Sequence, residues 1–246
     1  MNHVRFLGVR VDDVTLDEAA ALAGEYVLSG APRQIATVNP EFVMAARRDP
    51  AFQATLEAAD LCVPDGVGLM WGSWLLRRPL HGRVPGVDLV WKIAELAAER
   101  GWSLFLLGGR AGAAQATADR LCERFPRLPI AGVAEYDPND PAALEVVRAA
   151  HPDVLLVAYG APAQDLWIRD HAGTLGVPLS LGIGGTFDFI SGRARRAPRW
   201  LRRLGLEWLH RLTREPWRWR RQLVLPVFAV LVLRQRWTAP QEASGL

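Results

Sequence analysis

Cysteine is scarce in this 246-residue chain: only Cys62 and Cys122 occur, each in apolar surroundings. Two such thiols make no disulfide framework and read as reduced, packed side chains of a cytosolic protein. Long hydrophobic runs are lacking too. No stretch reaches the roughly 18 apolar residues of a membrane span. The opening MNHVRFLGVRVDD has no apolar core of the signal-peptide kind. H-E-x-x-H, paired-cysteine and D-x-D patterns are absent, and His81, His151, His171 and His210 are scattered, so neither a metal nor a cofactor is expected. G-x-G-x-x-G and G-x-x-x-x-G-K-[ST] are missing as well, which weakens the case for a dinucleotide site and removes that for a P-loop. There is no internal repeat and no low-complexity linker.

What is present is an apolar half, enough for a substantial core, and a divided charge. The net charge of +3 hides the division. Residues 1–192 carry 16 basic and 23 acidic side chains, whereas 193–236 carry 13 arginines against Glu207 and Glu215. The expected organisation is therefore an acidic core, 1–192, with a basic appendage, 193–246. A basic surface of that kind suits phosphates, nucleic acid or anionic lipid.

Within the core, patterns alternate. Val4–Val11 reads as a strand, and Thr15 to Glu18 has capping-box spacing that opens a helix to about Leu28. Strands are expected at Gln34–Val38, from Leu61, and at Ser103–Leu107, Ile130–Val133, Val154–Tyr159 and Leu179–Ile183. Helices are expected from Pro40, at Pro50–Ala59, Gly86–Arg100, Gly112–Phe125, Pro141–Ala150 and Ala163–Ala172. This alternation predicts an α/β fold: a mostly parallel, Rossmann-like sheet with helices on both faces, plus a helical, arginine-rich appendage.

Each strand end carries a small or polar cluster: TVNPE (37–41), PDG (64–66), LLGGRAG (106–112), YGAPAQ (159–164) and GIGGTFD (182–188). Glycines there let backbone N–H groups approach a phosphate, though singly they also serve as plain tight turns. Five clusters on one sheet edge favour a nucleotide or sugar-phosphate site, with Gly108, Gly109, Gly160, Gly184, Gly185 and Asp188 as candidates. Asp65 stands alone between Pro64 and Gly66, where a strand meets a helix. Two roles remain open from the residues: a helix N-cap, contributing about 0.5–2 kcal/mol, or a catalytic carboxylate.

In the appendage, Trp200, Leu204, Trp208 and Leu212 form an apolar helical stripe, and Arg211, Arg214, Arg218 and Arg221 a basic one. Leu223–Leu233 is apolar, too short to span a bilayer, and interrupted by Pro226. Basic amphipathic helices with tryptophan suit a membrane surface; a core-packing helix with a solvated arginine face is the alternative. No nucleic-acid reading motif accompanies the charge.

TVNPEFVMAARRDP, ADLCVPDGVGLMW, RVPGVDLV, LFLLGGRAG, YGAPAQDLW, GIGGTFDFISGRARRAP and LGLEWLHRLTREPWR follow one another here. In that order they resemble the WecG/TagA/CpsF glycosyltransferases, from the first strand into the tail. The resemblance implies inverting, metal-independent transfer of a sugar, typically N-acetylmannosamine, from a UDP-sugar to a polyprenyl-diphosphate-linked sugar. It implies work at the cytoplasmic membrane face in teichoic-acid, common-antigen or capsule synthesis. It implies Asp65 as general base with Thr37 and Asn39 beside it, and Arg83, Gln164, Arg214 and Arg221 as substrate contacts. Two stretches depart from the family pattern: Pro162 to Asp165 reads PAQD where PKQE is usual, and Ala134 to Asp137 is altered around Tyr136. Both flank the nucleotide pocket that the resemblance implies. The expected partners are the UDP-sugar, the prenyl-linked acceptor and an anionic membrane, with no nucleic acid and with homo-oligomerisation left open.

One carboxylate suffices for a single inverting displacement, whereas a retaining double displacement needs a second as nucleophile. The competing readings are a non-catalytic nucleotide-binding membrane adaptor, indifferent to Asp65, and an NAD-dependent oxidoreductase.

Overall fold

A computed structural model of the chain describes residues 1–198, 201, 207–214, 219 and 223–238, without the side chains of 210, 211 and 214. Trp200, Leu204, Arg218, Arg221 and the Arg214 side chain lie outside the described residues.

The chain opens with a hairpin, β1 (His3–Phe6) and β2 (Val9–Asp12), paired antiparallel. A single strand through Val11 was expected. Leu7 and Gly8 instead take positive φ, 51° and 95°, the geometry of a two-residue hairpin turn. Neither residue bears the Asn-Gly or Asp-Gly signature of such turns.

Helices and strands then alternate: α1 (Leu16–Ser29), β3 (Arg33–Val38), α2 (Pro40–Ala46), α3 (Pro50–Ala58), β4 (Leu61–Pro64), α4 (Val67–Leu75) and α5 (Gly86–Arg100). After them come β5 (Leu104–Gly108), α6 (Ala113–Arg124), β6 (Ile130–Ala134), α7 (Pro141–Ala150), β7 (Val154–Ala158), α8 (Ala163–Leu175), β8 (Leu179–Gly182) and the short α9 (Thr186–Ile190). The helix starts follow local chemistry. The Thr15 hydroxyl accepts the Glu18 N–H while the Glu18 carboxylate accepts the Thr15 N–H, the reciprocal capping box. Asn39, Asp49 and Asp140 each cap a helix whose first residue is proline, a position that needs no N–H. Gly101 ends α5 in the left-handed conformation.

Six strands form one parallel sheet in the order β4-β3-β8-β7-β5-β6. Both faces are covered, and the two-residue strand period divides the side chains between them. Leu104, Leu106, Val154 and Leu156 face α1, α5 and α6; Phe105, Leu107, Leu155 and Val157 face α7 and α8. The hairpin packs beside the edge strand β4, where the Asp12 carboxylate accepts the Cys62 N–H at 2.8 Å.

Two helices of the appendage are described, α10 (Glu207–Arg214) and α11 (Val224–Thr238). Helix α11 lies on α2, α4 and the hairpin. Phe228 and Val232, four residues apart, are 3% and 0% exposed, and the Phe228 ring lies 6.0 Å from that of Phe6. Burying such a side chain contributes about 1.5–3 kcal/mol. The Gln235 carboxamide secures the other end: its oxygen accepts the Leu7 N–H and its nitrogen donates to the Arg5 carbonyl. Pro226 does not interrupt this run. It occupies the first turn of α11, where no intrahelical bond needs its missing N–H. Among the described residues no helix is long and apolar enough to cross a membrane.

Candidate active site

The carboxyl ends of β4, β3, β8 and β7 open into one cavity of about 990 Å³. Ligands of open α/β sheets bind at such ends, because strand and helix termini leave backbone groups there unpaired. Thr37 and Asn39 follow β3, Asp65 follows β4, Gly160 and Gln164 follow β7, and Gly184 and Gly185 follow β8. Arg83 enters just before α5.

Asp65 does not cap α4. Gly66 occupies that position with φ 114°, open to glycine and strained for other residues, and no side chain caps the helix. The chain instead turns Asp65 towards α5, and its Oδ2 accepts the Gly86 N–H at 3.3 Å. The start of α5 also lies against Thr37 and Thr186: a Cβ on Gly86 would lie 3.4 Å from both side chains and 3.6 Å from Asp65 Oδ2, ordinary contact distances. Desolvation by the surrounding protein raises the Asp65 pKa to about 6; the Gly86 N–H and the charges of Arg83 and Arg196 oppose the rise, while Glu207 adds to it. The carboxylate is therefore ionised at neutral pH and still basic enough to take a proton.

The neighbours hold the loops in place. The Thr37 hydroxyl donates to the Gly182 carbonyl at 3.0 Å, and Asn39 Oδ1 accepts the Phe42 N–H at 3.1 Å. Gln164 is 1% exposed, and its oxygen accepts the N–H groups of Gly160 at 3.1 Å and Gly184 at 2.8 Å. One buried carboxamide thus ties the loop after β7 to the loop after β8.

Several expected residues are not brought into this cavity. Gly108 and Gly109 sit at the same sheet edge but pack under other side chains: an added Cβ would meet the Tyr159 ring at 2.7 Å and the Phe187 ring at 3.1 Å. Tyr136 follows the far edge strand β6 and lines a separate open cavity of about 730 Å³. Asp188 lies on α9, 3.9 Å from Arg110. Residue Arg214 ends α10 without a described side chain, and Arg221 is outside the described residues.

The fold supplies wall residues that the sequence reading passed over. Arg196 Nη1 lies 2.5 Å from Asp88 Oδ1 on α5, and its Nε lies 3.5 Å from Glu207 Oε1. Glu207 Oε2 is also 3.9 Å from Arg83 Nη1. Glu207 therefore ties the appendage to the cavity wall. The available signal was an acidic residue isolated among the arginines of the appendage. Tyr159 and Trp208 line the cavity as well, and the Tyr159 hydroxyl and the Trp208 indole N–H are buried with no hydrogen-bond partner among the described residues. Among the described residues no group of three or more His, Cys, Asp and Glu side chains is arranged to hold a metal ion.

A parallel sheet whose carboxyl edge opens into a cavity lined by Glu41, Asp65 and Glu207 together with Arg83 and Arg196 places the protein in the Rossmann-like class of ligand-binding folds. The sequence pattern of the glycosyl transferase WecG/TagA/CpsF family matches residues 4–242, and the chain belongs to that family. It is a glycosyltransferase. It is 33% identical over 202 residues to the N-acetylglucosaminyldiphosphoundecaprenol N-acetyl-beta-D-mannosaminyltransferase of Bacillus subtilis (strain 168), covering 82% of this chain and 79% of that one. The enzyme of the same name from Bacillus spizizenii (strain ATCC 23059 / NRRL B-14472 / W23) is 34% identical over 213 residues, 86% of this chain and 83% of its own. That of Staphylococcus aureus (strain MW2) is 28% identical over 236 residues, 95% and 93% of the two chains.

Proposed function

We propose that this protein transfers N-acetylmannosamine from a UDP-sugar to N-acetylglucosamine on a polyprenyl diphosphate, with inversion and without a metal ion, at the cytoplasmic face of the membrane. The observation that carries the reading is Asp65, at the strand ends of a cavity large enough for two substrates, with its pKa raised to about 6. The names of the relatives supply the transferred sugar and the acceptor.

In the proposed step, the acceptor hydroxyl oxygen attacks the anomeric carbon of the donor from the side opposite the diphosphate. The new glycosidic bond forms as the bond from that carbon to the diphosphate oxygen breaks. The hydroxyl proton passes to Asp65, and the electron pair leaves on UDP. One carboxylate is enough for this single displacement. Arg83 offers guanidinium charge to the departing diphosphate, which it can bind bidentately and without titrating, while Arg196, held by Asp88, braces the same wall. Arg214 and Arg221 are assigned the same task from the family resemblance.

The test incubates the full chain with UDP-N-acetylmannosamine and a short-chain prenyl-diphosphate-linked N-acetylglucosamine. A β-linked disaccharide is expected, undiminished by EDTA, and the chain should sediment with anionic liposomes. Activity lost with EDTA and restored by Mg²⁺ overturns the metal-independent step. Donor binding without transfer to any acceptor favours the non-catalytic adaptor.

A further inference from the structure

The cavity does not end at its polar groups. From Asp65 it runs on between α2, α4 and α11, where Ala45, Trp71, Leu75, Leu225, Pro226 and Ala229 line it. Helix α4 contributes a single face to this limb, from positions three and four residues apart. The wall formed by α11 is anchored by buried Phe228 and Val232 and by the Gln235 bonds to the hairpin, so the limb is built into the fold. Of the residues lining it, Trp71 is 45% exposed. A nucleotide-sugar gains little from such walls, because polar groups lose hydration there without finding partners. An amphiphile with its sugar held at Asp65 and an apolar tail would use both ends.

We propose that the limb between α2, α4 and α11 receives the first isoprene units of the acceptor's lipid, seating the acceptor sugar beside Asp65. This rests on the reading of the acceptor as a prenyl diphosphate-linked sugar. The limb is concave and continuous with the reaction centre, which favours a single chain threading into it over a bilayer lying flat against it.

Titration calorimetry on the full chain tests this with inorganic diphosphate, geranyl diphosphate and farnesyl diphosphate as probes. Each five-carbon unit entering the limb should tighten binding by about tenfold, the effect of burying a few methylene groups in a partly open groove. Ala229→Trp, which fills the limb from a surface position, should lower farnesyl diphosphate affinity at least tenfold relative to inorganic diphosphate. In the transfer assay the same variant should erase the preference for a farnesyl-linked over a methyl-linked diphosphate acceptor, through KM. Farnesyl diphosphate binding no tighter than diphosphate overturns the proposal. So does an unchanged preference in Ala229→Trp, or binding to anionic vesicles with no discrimination by chain length, which would make the rim a bilayer-docking face. Chain-length-dependent binding with no sugar transfer to either acceptor would support the limb and sink the transferase chemistry instead.

Discussion

Glu207 offers a direct way to perturb the base from a distance. Its carboxylate lies between Arg83 and Arg196, 3.9 and 3.5 Å away, and its charge raises the pKa of Asp65 while the two arginines lower it. Glu207→Gln removes that negative charge, freeing Arg83 from it and leaving Arg196 paired with Asp88 alone, so the Asp65 pKa falls. In the native protein a base with a pKa of about 6 is half ionised at pH 6; about nine-tenths is ionised at pH 7 and about a tenth at pH 5. The acid limb of kcat/KM should follow that curve. The acid limb should therefore move to lower pH in the variant, raising its relative activity at pH 5 above the native value of about a tenth of the plateau. The assay is the pH profile of kcat/KM between pH 4.5 and 8, each protein normalised to its own plateau, because loosening the link to the appendage also lowers the plateau. Asp65→Asn in parallel should reduce turnover by about 10²–10⁴-fold on the plateau and abolish the acid limb. An acid limb that stays near pH 6 or moves upward in Glu207→Gln, or near-normal turnover in Asp65→Asn, would refute the assignment of that limb to Asp65.

Two further outcomes concern stability. Asp165 is fully buried, and burial pushes its pKa to about 7 against the opposing pull of the neighbouring Gln164 side chain. The folded state therefore holds its proton more tightly than the unfolded chain does. Its contribution is fully present below about pH 4, declines as pH rises and is gone above about pH 7. Asp165→Asn should accordingly gain thermal stability relative to the native protein more at pH 8 than at pH 5; a difference in melting temperature independent of pH would contradict this. Phe228→Ala, emptying the contact with Phe6 on which α11 rests, should cost about 3–5 kcal/mol in denaturant unfolding, and a loss under 1 kcal/mol would mean that α11 is not held there.

Local chemistry made much of the architecture legible in the sequence. The Thr15–Glu18 box, the helix starts at Pro40, Pro50 and Pro141, and the stop at Gly101 depend on neighbours within a turn, and each stands where the sequence places it. The alternation of strand and helix implied a covered parallel sheet, and strands in such a sheet expose their carboxyl ends together, which marked Asp65 before any fold was visible. Strand order is a different matter, because pairing between distant segments leaves no local trace. Only the order β4-β3-β8-β7-β5-β6 separates the loops that share a cavity with Asp65 from Tyr136 beyond the far edge, and only packing places Gly108 under the Tyr159 ring. The same holds for the charge on the appendage. Composition revealed an arginine-rich segment, but the pairing of Arg196 with Asp88, 108 residues away in sequence, and of Glu207 with Arg83 needed the chain to fold back over its own sheet. Such contacts arise from cores closing around buried side chains like Phe228, so the sequence by itself determined the elements and marked Asp65 as a candidate, whereas tertiary packing decided which charges surround that carboxylate and where the cavity leads.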